Sequence, residues 1–357
     1  MMTITQLLEE LISRNGTALH LTVGEPPVLS IDGDLIPTSH EVLTPKITKE
    51  LIYSLLNDEQ KKRFETTREL DLSFGIPNLS RFRGNVFMQR GAIAMAIRTI
   101  PYQIRTFKEL GLPSVVSELA TRQKGLILVT GPTGSGKSTT LATMVNKVNS
   151  ERRSHIVTVE DPIEYLFKHK KCIVNQRQVG DDTKSFANAL KYVLRQDPDV
   201  VMVGEMRDLE TTESALKIAE TGHLTFATLH TNSAAESITR IIDIFPTNRQ
   251  SQVRTQLAFV ILGILTQTLI KRIRGGRMIA LEVLIATPAV QALVRDNKVH
   301  QIYSHIQAGH KYGMQTMNES LFDLYIKKEI SLENAFVHSR NPEELQKMIE
   351  ERSPIAA

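Results

Sequence analysis

The sequence predicts an α/β protein of two domains. A small α+β domain covers residues 1–100, and a larger one over 114–357 holds a parallel sheet with helices on both faces. Three observations carry this. The chain has 357 residues, and a domain commonly takes roughly 100–200. Apolar blocks at 126–129, 156–159, 200–203 and 224–229 are short, nearly continuous and separated by helical stretches, as strands buried on both faces of a parallel sheet are. The block at 126–129 leads into Gly131-Pro132-Thr133-Gly134-Ser135-Gly136-Lys137-Ser138-Thr139, a glycine-rich phosphate loop set between a strand and a helix.

The elements follow in order. Residues 3–14 place Ile4, Leu7, Leu8, Leu11 and Ile12 on one helical face. Asp32-Gly33-Asp34 between Val28-Leu29-Ser30-Ile31 and Leu35-Ile36 predicts a hairpin. Thr44-Pro45 reads as an N-cap followed by proline at the first helical position, opening a helix to about Leu56. Asn57-Asp58-Glu59-Gln60 has capping-box spacing. Leu70, Leu72 and Phe74 then alternate with Asp71 and Ser73, so strands are expected from Glu69 to Ile100. Prolines bracket a linker over 101–113. In the larger domain, Asp208 and Glu210 suit the first turn of a helix, and Gly222 suits its C′ position. From Arg254 onward the pattern reads as mostly helical, ending in a polar tail over 350–357.

Composition narrows the class. Hydrophobic residues make up 41% and charged residues 23%, as in an ordinary globular protein. The longest apolar run, Leu257 to Leu265, falls well short of the ~20 residues of a membrane span and is expected to be a buried helix. No membrane span and no signal peptide are expected, and the single Cys172 excludes an intrachain disulfide framework or zinc module. A reducing, cytoplasmic location is the expectation. The net charge is +4, a mild surplus suited to a mixed surface. Two basic clusters, Lys168-His169-Lys170-Lys171 and Lys271-Arg272-Ile273-Arg274, read as exposed loops or as sites for an acidic partner.

The phosphate loop is the strongest chemical signal. Its glycines let backbone N–H groups close around phosphate oxygens at a helix N-terminus. Lys137 is expected to reach the β- and γ-phosphates of ATP, and the Ser138 hydroxyl to hold Mg²⁺. Val200-Val201-Met202-Val203-Gly204-Glu205 is a buried strand ending in a carboxylate, the Walker-B position, with the acid one residue later than usual. Between the two motifs in the chain lies His155-Ile156-Val157-Thr158-Val159, followed by Glu160-Asp161-Pro162-Ile163-Glu164. A carboxylate delivered there, beside the phosphates, resembles the RecA-like branch and could polarise the attacking water. Glu160, Asp161 and Glu164 are all candidates, and each could equally be a cap or a salt-bridge partner. His223 and His230 bracket the block at 224–229 and are read as nucleotide-state sensors. The motifs of the larger domain offer no obvious arginine for the γ-phosphate.

GPTGSGKST, VEDPIEY, DPDVVMVGEMRDLET, AETGHL and TLHTNSA, in that order and spacing, resemble the secretion ATPases of type II secretion and type IV pili. LDLSFG, LSRFRGNVF, IRTIP and GMQTMNESL extend the resemblance over essentially the whole chain. The resemblance implies a PAS-like N-terminal domain, a RecA-like P-loop domain and a homo-hexameric ring. It makes Glu164 the general base, Glu205 the Walker-B acid and metal ligand beside Ser138, and His223 and His230 the His-box residues. It also places Arg83 and Arg98, with Arg81 less securely, against the nucleotide.

Extension and type II secretion members carry a long extra N-terminal region and a four-cysteine zinc module. This chain starts near its PAS-like domain and has one cysteine, which favours the retraction type: a motor for pilin disassembly and twitching motility. Such a motor is expected to dock on an inner-membrane platform protein at the cytoplasmic face and to work beside a paralogous retraction ATPase. One departure is Ala289-Val290-Gln291-Ala292-Leu293-Val294-Arg295, where the retraction pattern has arginine in place of Gln291. An accessory paralogous motor therefore stays open as an alternative. A RecA-like DNA translocase would need a basic, aromatic-bearing channel. With no Trp and 5% aromatics, no nucleic-acid partner is expected.

Overall fold

The structure, a computed structural model, describes residues 2–31, 34–77, 79–100 and 103–352. Contacts divide the chain into Met1–Gln103 and Ile104–Ala357. Asp32 and Gly33 of the hairpin turn, Pro101 and Tyr102 of the linker, and tail residues 353–357 lie outside the described residues. No helix among the described residues is long and apolar enough to cross a membrane.

The first unit is a six-stranded sheet carrying three helices. Its strands are β1 (Ala18–Leu21), β2 (Val28–Ile31), β3 (Asp34–Pro37), β4 (Glu69–Ile76), β5 (Ser80–Gln89) and β6 (Ala92–Ile100). They lie in the order β3-β2-β1-β6-β5-β4 with every neighbouring pair antiparallel. Helix Ile4–Ser13 buries Ile4, Leu7, Leu8 and Leu11, and Phe82 and Ile97 join them in the core. Thr44 accepts from the Ile47 N–H and Pro45 opens helix Pro45–Tyr53, while Asn57 and Gln60 close both bonds of a capping box. On the outward face Arg83 stands directly opposite Arg98 in the β5–β6 register. Like charges so placed repel, and neither is ion-paired to a described residue.

The second unit holds β7 (Gly125–Thr130), β8 (His155–Glu160), β9 (Ile173–Gln178), β10 (Val200–Val203), β11 (Leu224–Leu229), β12 (Ile261–Lys271) and β13 (Arg277–Ile285). The order is β13-β12-β7-β11-β10-β8-β9. Six strands run parallel, and β13 is antiparallel to β12. Alternate residues of β7 feed two cores, Leu126 and Leu128 on one face and Ile127 and Val129 on the other, which is why its sequence reads as one apolar run. Ile104, Phe107, Leu110 and Leu112 pack on the second of these cores. Asp208 is the N-cap of helix Leu209–Glu220, its side chain accepting from Thr211 N–H, and Glu210 stands in the first turn. Gly222 follows that helix at φ +103°.

Two expectations are corrected. The run Leu257 to Leu265 is not one helix: helix Thr247–Val260 ends inside it and β12 begins at Ile261. A short aliphatic run fits a buried helix and a buried strand equally, and pairing with β7 decides it. Likewise the chain beyond Arg254 is not mostly helical at first, because β12 and β13 form a long hairpin. The basic cluster at 271–274 lies at its turn, where Gly275 and Gly276 adopt φ +87° and +74° and Arg272 binds Glu329 at 2.6 Å.

Candidate active site at the strand C-termini

β7 ends at Thr130, and the loop of residues 131–136 delivers the chain into helix Lys137–Glu151. Gly136 caps that helix at φ +88°, a left-handed conformation that favours glycine. A Cβ on Gly131 would collide with the Gln267 backbone on β12. Gln267 is fully buried and its Nε2 donates to the Ser135 carbonyl at 2.7 Å, while Thr266 and Thr130 share a hydroxyl contact of 2.8 Å. The loop is therefore held in shape from β12, by residues that no sequence motif marked. Their one signal is an amide and hydroxyls inside the apolar stretch Ile264-Leu265-Thr266-Gln267-Thr268-Leu269.

Lys137 is buried and its Nζ donates to the carbonyls of Gly131 at 2.8 Å and Pro132 at 3.0 Å. Burial lowers its pKa, against the opposing pull of Glu205 and Glu164. Both carboxylates are thus close enough for Lys137 to feel. Ser138 and Thr139 follow in the first helical turn, half-buried, and Thr139 meets the Tyr165 hydroxyl at 2.9 Å. That contact ties the segment after β8 to the phosphate loop.

The structure separates the carboxylates after β8. Glu160 is buried and accepts from Thr158 at 2.6 Å, from Gln176 at 3.1 Å and from the Glu164 N–H at 3.4 Å. Burial pushes its pKa up, in opposition to those hydrogen bonds. Its oxygens are occupied with holding the turn. Glu164 is half-buried, and Asp161 is exposed and acts on Arg207. In space, the strand between the phosphate-loop strand and β10 is β11, and β8 lies on the far side of β10. Gly204 makes this neighbourhood possible, since its Cβ position lies 3.1 Å from the Val159 carbonyl.

Glu205 is the junction of the site. Its Oε1 meets Arg207 Nε at 2.8 Å and His230 Nε2 at 3.2 Å. Burial pushes the Glu205 carboxyl up, but Arg207 and His230 together outweigh it and hold the group below its ordinary value. His230 Nδ1 in turn lies 3.4 Å from the Thr133 hydroxyl of the phosphate loop, so one imidazole spans both motifs. The arginine carried by these motifs, Arg207, is engaged with Glu205. The stretch Gly204-Glu205-Met206-Arg207-Asp208 displayed it openly, but only the fold turns its side chain back toward Glu205.

His223 stands apart from this cluster. It precedes β11, at the opposite end from His230, and its carbonyl accepts from Gly125 N–H at the start of β7. A six-residue strand separates the two histidines, about 20 Å at 3.3 Å per residue. The His223 ring engages Thr221 and the Ile218 carbonyl, each at 3.1 Å. Within this chain it does not face the phosphate loop, because six residues carry the strand from one edge of the sheet to the other.

Hydroxyl and carboxylate oxygens such as those of Ser138 and Glu205 suit a hard cation, Mg²⁺, that draws its other ligands from phosphate and water. Glu205 already faces the Arg207 guanidinium and the His230 ring, the setting such an ion would share. Arg83 and Arg98 belong to the first unit, side by side on β5 and β6.

Comparison with known proteins shows the family. Residues 95–275 match the family model described as Type II/IV secretion system protein. The chain is 47% identical over 342 residues to the type IV pilus retraction ATPase PilT of Pseudomonas aeruginosa, covering 96% of this chain and 99% of the relative. It is 39% identical to the type IV pilus ATPase PilU of the same organism, covering 98% and 91%. A crystal structure of the pilus retraction motor PilT with bound ADP superposes with a TM-score of 0.92 at 51% identity, covering 98% of this chain and all of that one. The chain belongs to the type II/IV secretion system protein family, on its branch of type IV pilus retraction ATPases.

Proposed function

We propose that the chain is the subunit of a hexameric motor that binds and hydrolyses ATP to drive type IV pilus retraction. The observation that carries this reading is the convergence of the phosphate loop, Lys137, Glu164, Glu205 and His230 at the C-terminal ends of adjacent strands, where ligands bind in such sheets. Residues 131–139 would cradle the phosphates. Lys137, held on loop carbonyls that a phosphate would replace, would move to the β- and γ-phosphates. Glu164 would accept the proton of the attacking water. Ser138 and Glu205 would hold Mg²⁺, which when bound neutralises developing phosphate charge. His230 would report the γ-phosphate to the loop that follows β11.

The unopposed pair Arg83 and Arg98 supports a role for the first unit in meeting phosphate charge once subunits assemble. The linker expected over 101–113 belongs to this proposal only at its start: residues from Ile104 onward pack on the core of the second unit, so movement between the units is assigned to the boundary at Gln103 and Ile104. A platform-protein partner and a location at the cytoplasmic face of the membrane belong to this proposal as well.

Phosphate release by the purified protein tests the reading. Wild type should release phosphate from ATP without stimulation by DNA, and Lys137→Ala should abolish release. Arg83→Ala or Arg98→Ala should keep the fold and lower turnover by about 10³–10⁵, the worth of an arginine finger. Activity per chain should rise with concentration through the assembly range. Full activity in a dilute monomer would overturn the oligomeric part. Retraction in cells lacking the accessory paralogue would separate the primary from the accessory role.

A further inference from the structure

Arg207 is the cation that Glu205 holds, and its setting is that of a swinging arm on a fixed pivot. The backbone beneath it is anchored on both sides. Met206 is buried and its N–H donates to the Thr228 carbonyl at 3.1 Å. On the other side Asp208 caps the following helix through the Thr211 N–H at 2.8 Å and hydroxyl at 3.0 Å. The Arg207 side chain itself is 65% exposed, against 19% for Glu205. Its guanidinium and the His230 ring converge on the same carboxylate oxygen, Oε1. Asp161 also attracts the guanidinium electrostatically, more weakly than Glu205 does.

We infer that Arg207 is a removable counter-cation of Glu205 that competes for this carboxylate with the Mg²⁺ that arrives with nucleotide. The inference rests on the ATPase reading and extends it: Arg207 sets how much Mg²⁺ the site requires before nucleotide is held tightly. The physical basis is mass action. A carboxylate already paired offers a divalent ion less attraction by the strength of that pair, and a pair whose guanidinium is largely exposed is weak enough to be displaced.

The test reads binding without turnover. Mg²⁺ is titrated into the full-length protein with a fluorescent ADP, and anisotropy gives the Mg²⁺ midpoint. Arg207→Ala and Arg207→Gln should each lower that midpoint about 2–5-fold, while Arg207→Lys should stay nearer wild type. In a Glu205→Gln background, removal of Arg207 should leave the midpoint where it was. A midpoint that is unmoved or raised in both Arg207 variants overturns the inference, as does an equal shift in the Glu205→Gln background. Wild type that fails to bind nucleotide at any Mg²⁺ concentration would instead sink the ATPase reading.

Discussion

The two ends of the seven-stranded sheet are furnished with similar residues and do different work. At the C-terminal end of the parallel strands, Lys137, Glu164, Glu205, Arg207 and His230 interact with one another around the phosphate loop. At the N-terminal end, His155, His223, Arg152 and Lys170 are spent on the backbone and on neutral side chains. His155 Nδ1 meets the Asp197 carbonyl at 3.1 Å, Arg152 donates to the Arg122 carbonyl at 3.0 Å and to Gln123 at 2.9 Å, and Lys170 donates to Asn146 at 2.8 Å and Ser150 at 3.0 Å. Position along the strand, not residue type, divides chemistry from carpentry. Phosphate-ready N–H groups occur at the end where a strand turns into a helix N-terminus, and the opposite end meets helix C-termini, whose carbonyls attract cations.

Within this comparison, the largest expected effect lies at the active end. Glu164→Gln should leave nucleotide binding intact and slow hydrolysis about 10²–10⁴-fold, the range for a positioned general base. Single-turnover phosphate release measures it, and a wild-type rate would place the base elsewhere. The matched histidines sharpen the comparison. His230→Ala should lower turnover about 10–100-fold, since hydrogen bonds to charged groups contribute about 1.5–3 kcal/mol. His223→Ala should change nucleotide affinity by less than about 2-fold and cost about 0.5–1.5 kcal/mol of stability by denaturant melt. Equal losses of nucleotide affinity in both variants would break the contrast between the two ends.

The smallest effect concerns Glu160. Its pKa is raised in the folded state, so the folded protein keeps that proton to higher pH than the unfolded chain does. The group therefore supports the fold below its ordinary pKa of 4.5, and this support fades as pH rises through the folded value. Unfolding free energies for wild type and Glu160→Gln, measured at pH 5 and pH 8, should move in the variant's favour at the higher pH. A difference that does not change with pH would mean that Glu160 is not a buried titrating group.

Much of this was legible locally. The capping box at Asn57 and Gln60, the proline-opened helix at Pro45 and the glycine after helix Leu209–Glu220 depend on residues within a few positions of each other, so the sequence displays both partners. The phosphate loop is the same kind of feature, a run of consecutive backbone N–H groups shaped by its own glycines. Four of the seven strands were visible because burial on both faces leaves an unbroken apolar run; that signal failed at β12, where a helix and a strand share one run at Val260 and Ile261, at β13, which lies in the stretch that reads as helical, and at β9, whose polar residues break the run.

The sequence by itself thus determined the α/β class, the phosphate loop, the Walker-B strand and the set of candidate acids and histidines. The tertiary structure alone decided which of them meet. Gln267 lies 132 positions from the Ser135 carbonyl it holds, and His230 lies 97 from Thr133. Likewise only burial distinguishes Glu160 from Glu164. Such pairings come from the order of strands in the sheet and from which end of a strand a residue occupies. No local pattern records either one, because the strand order is set by the packing of two whole cores against the sheet.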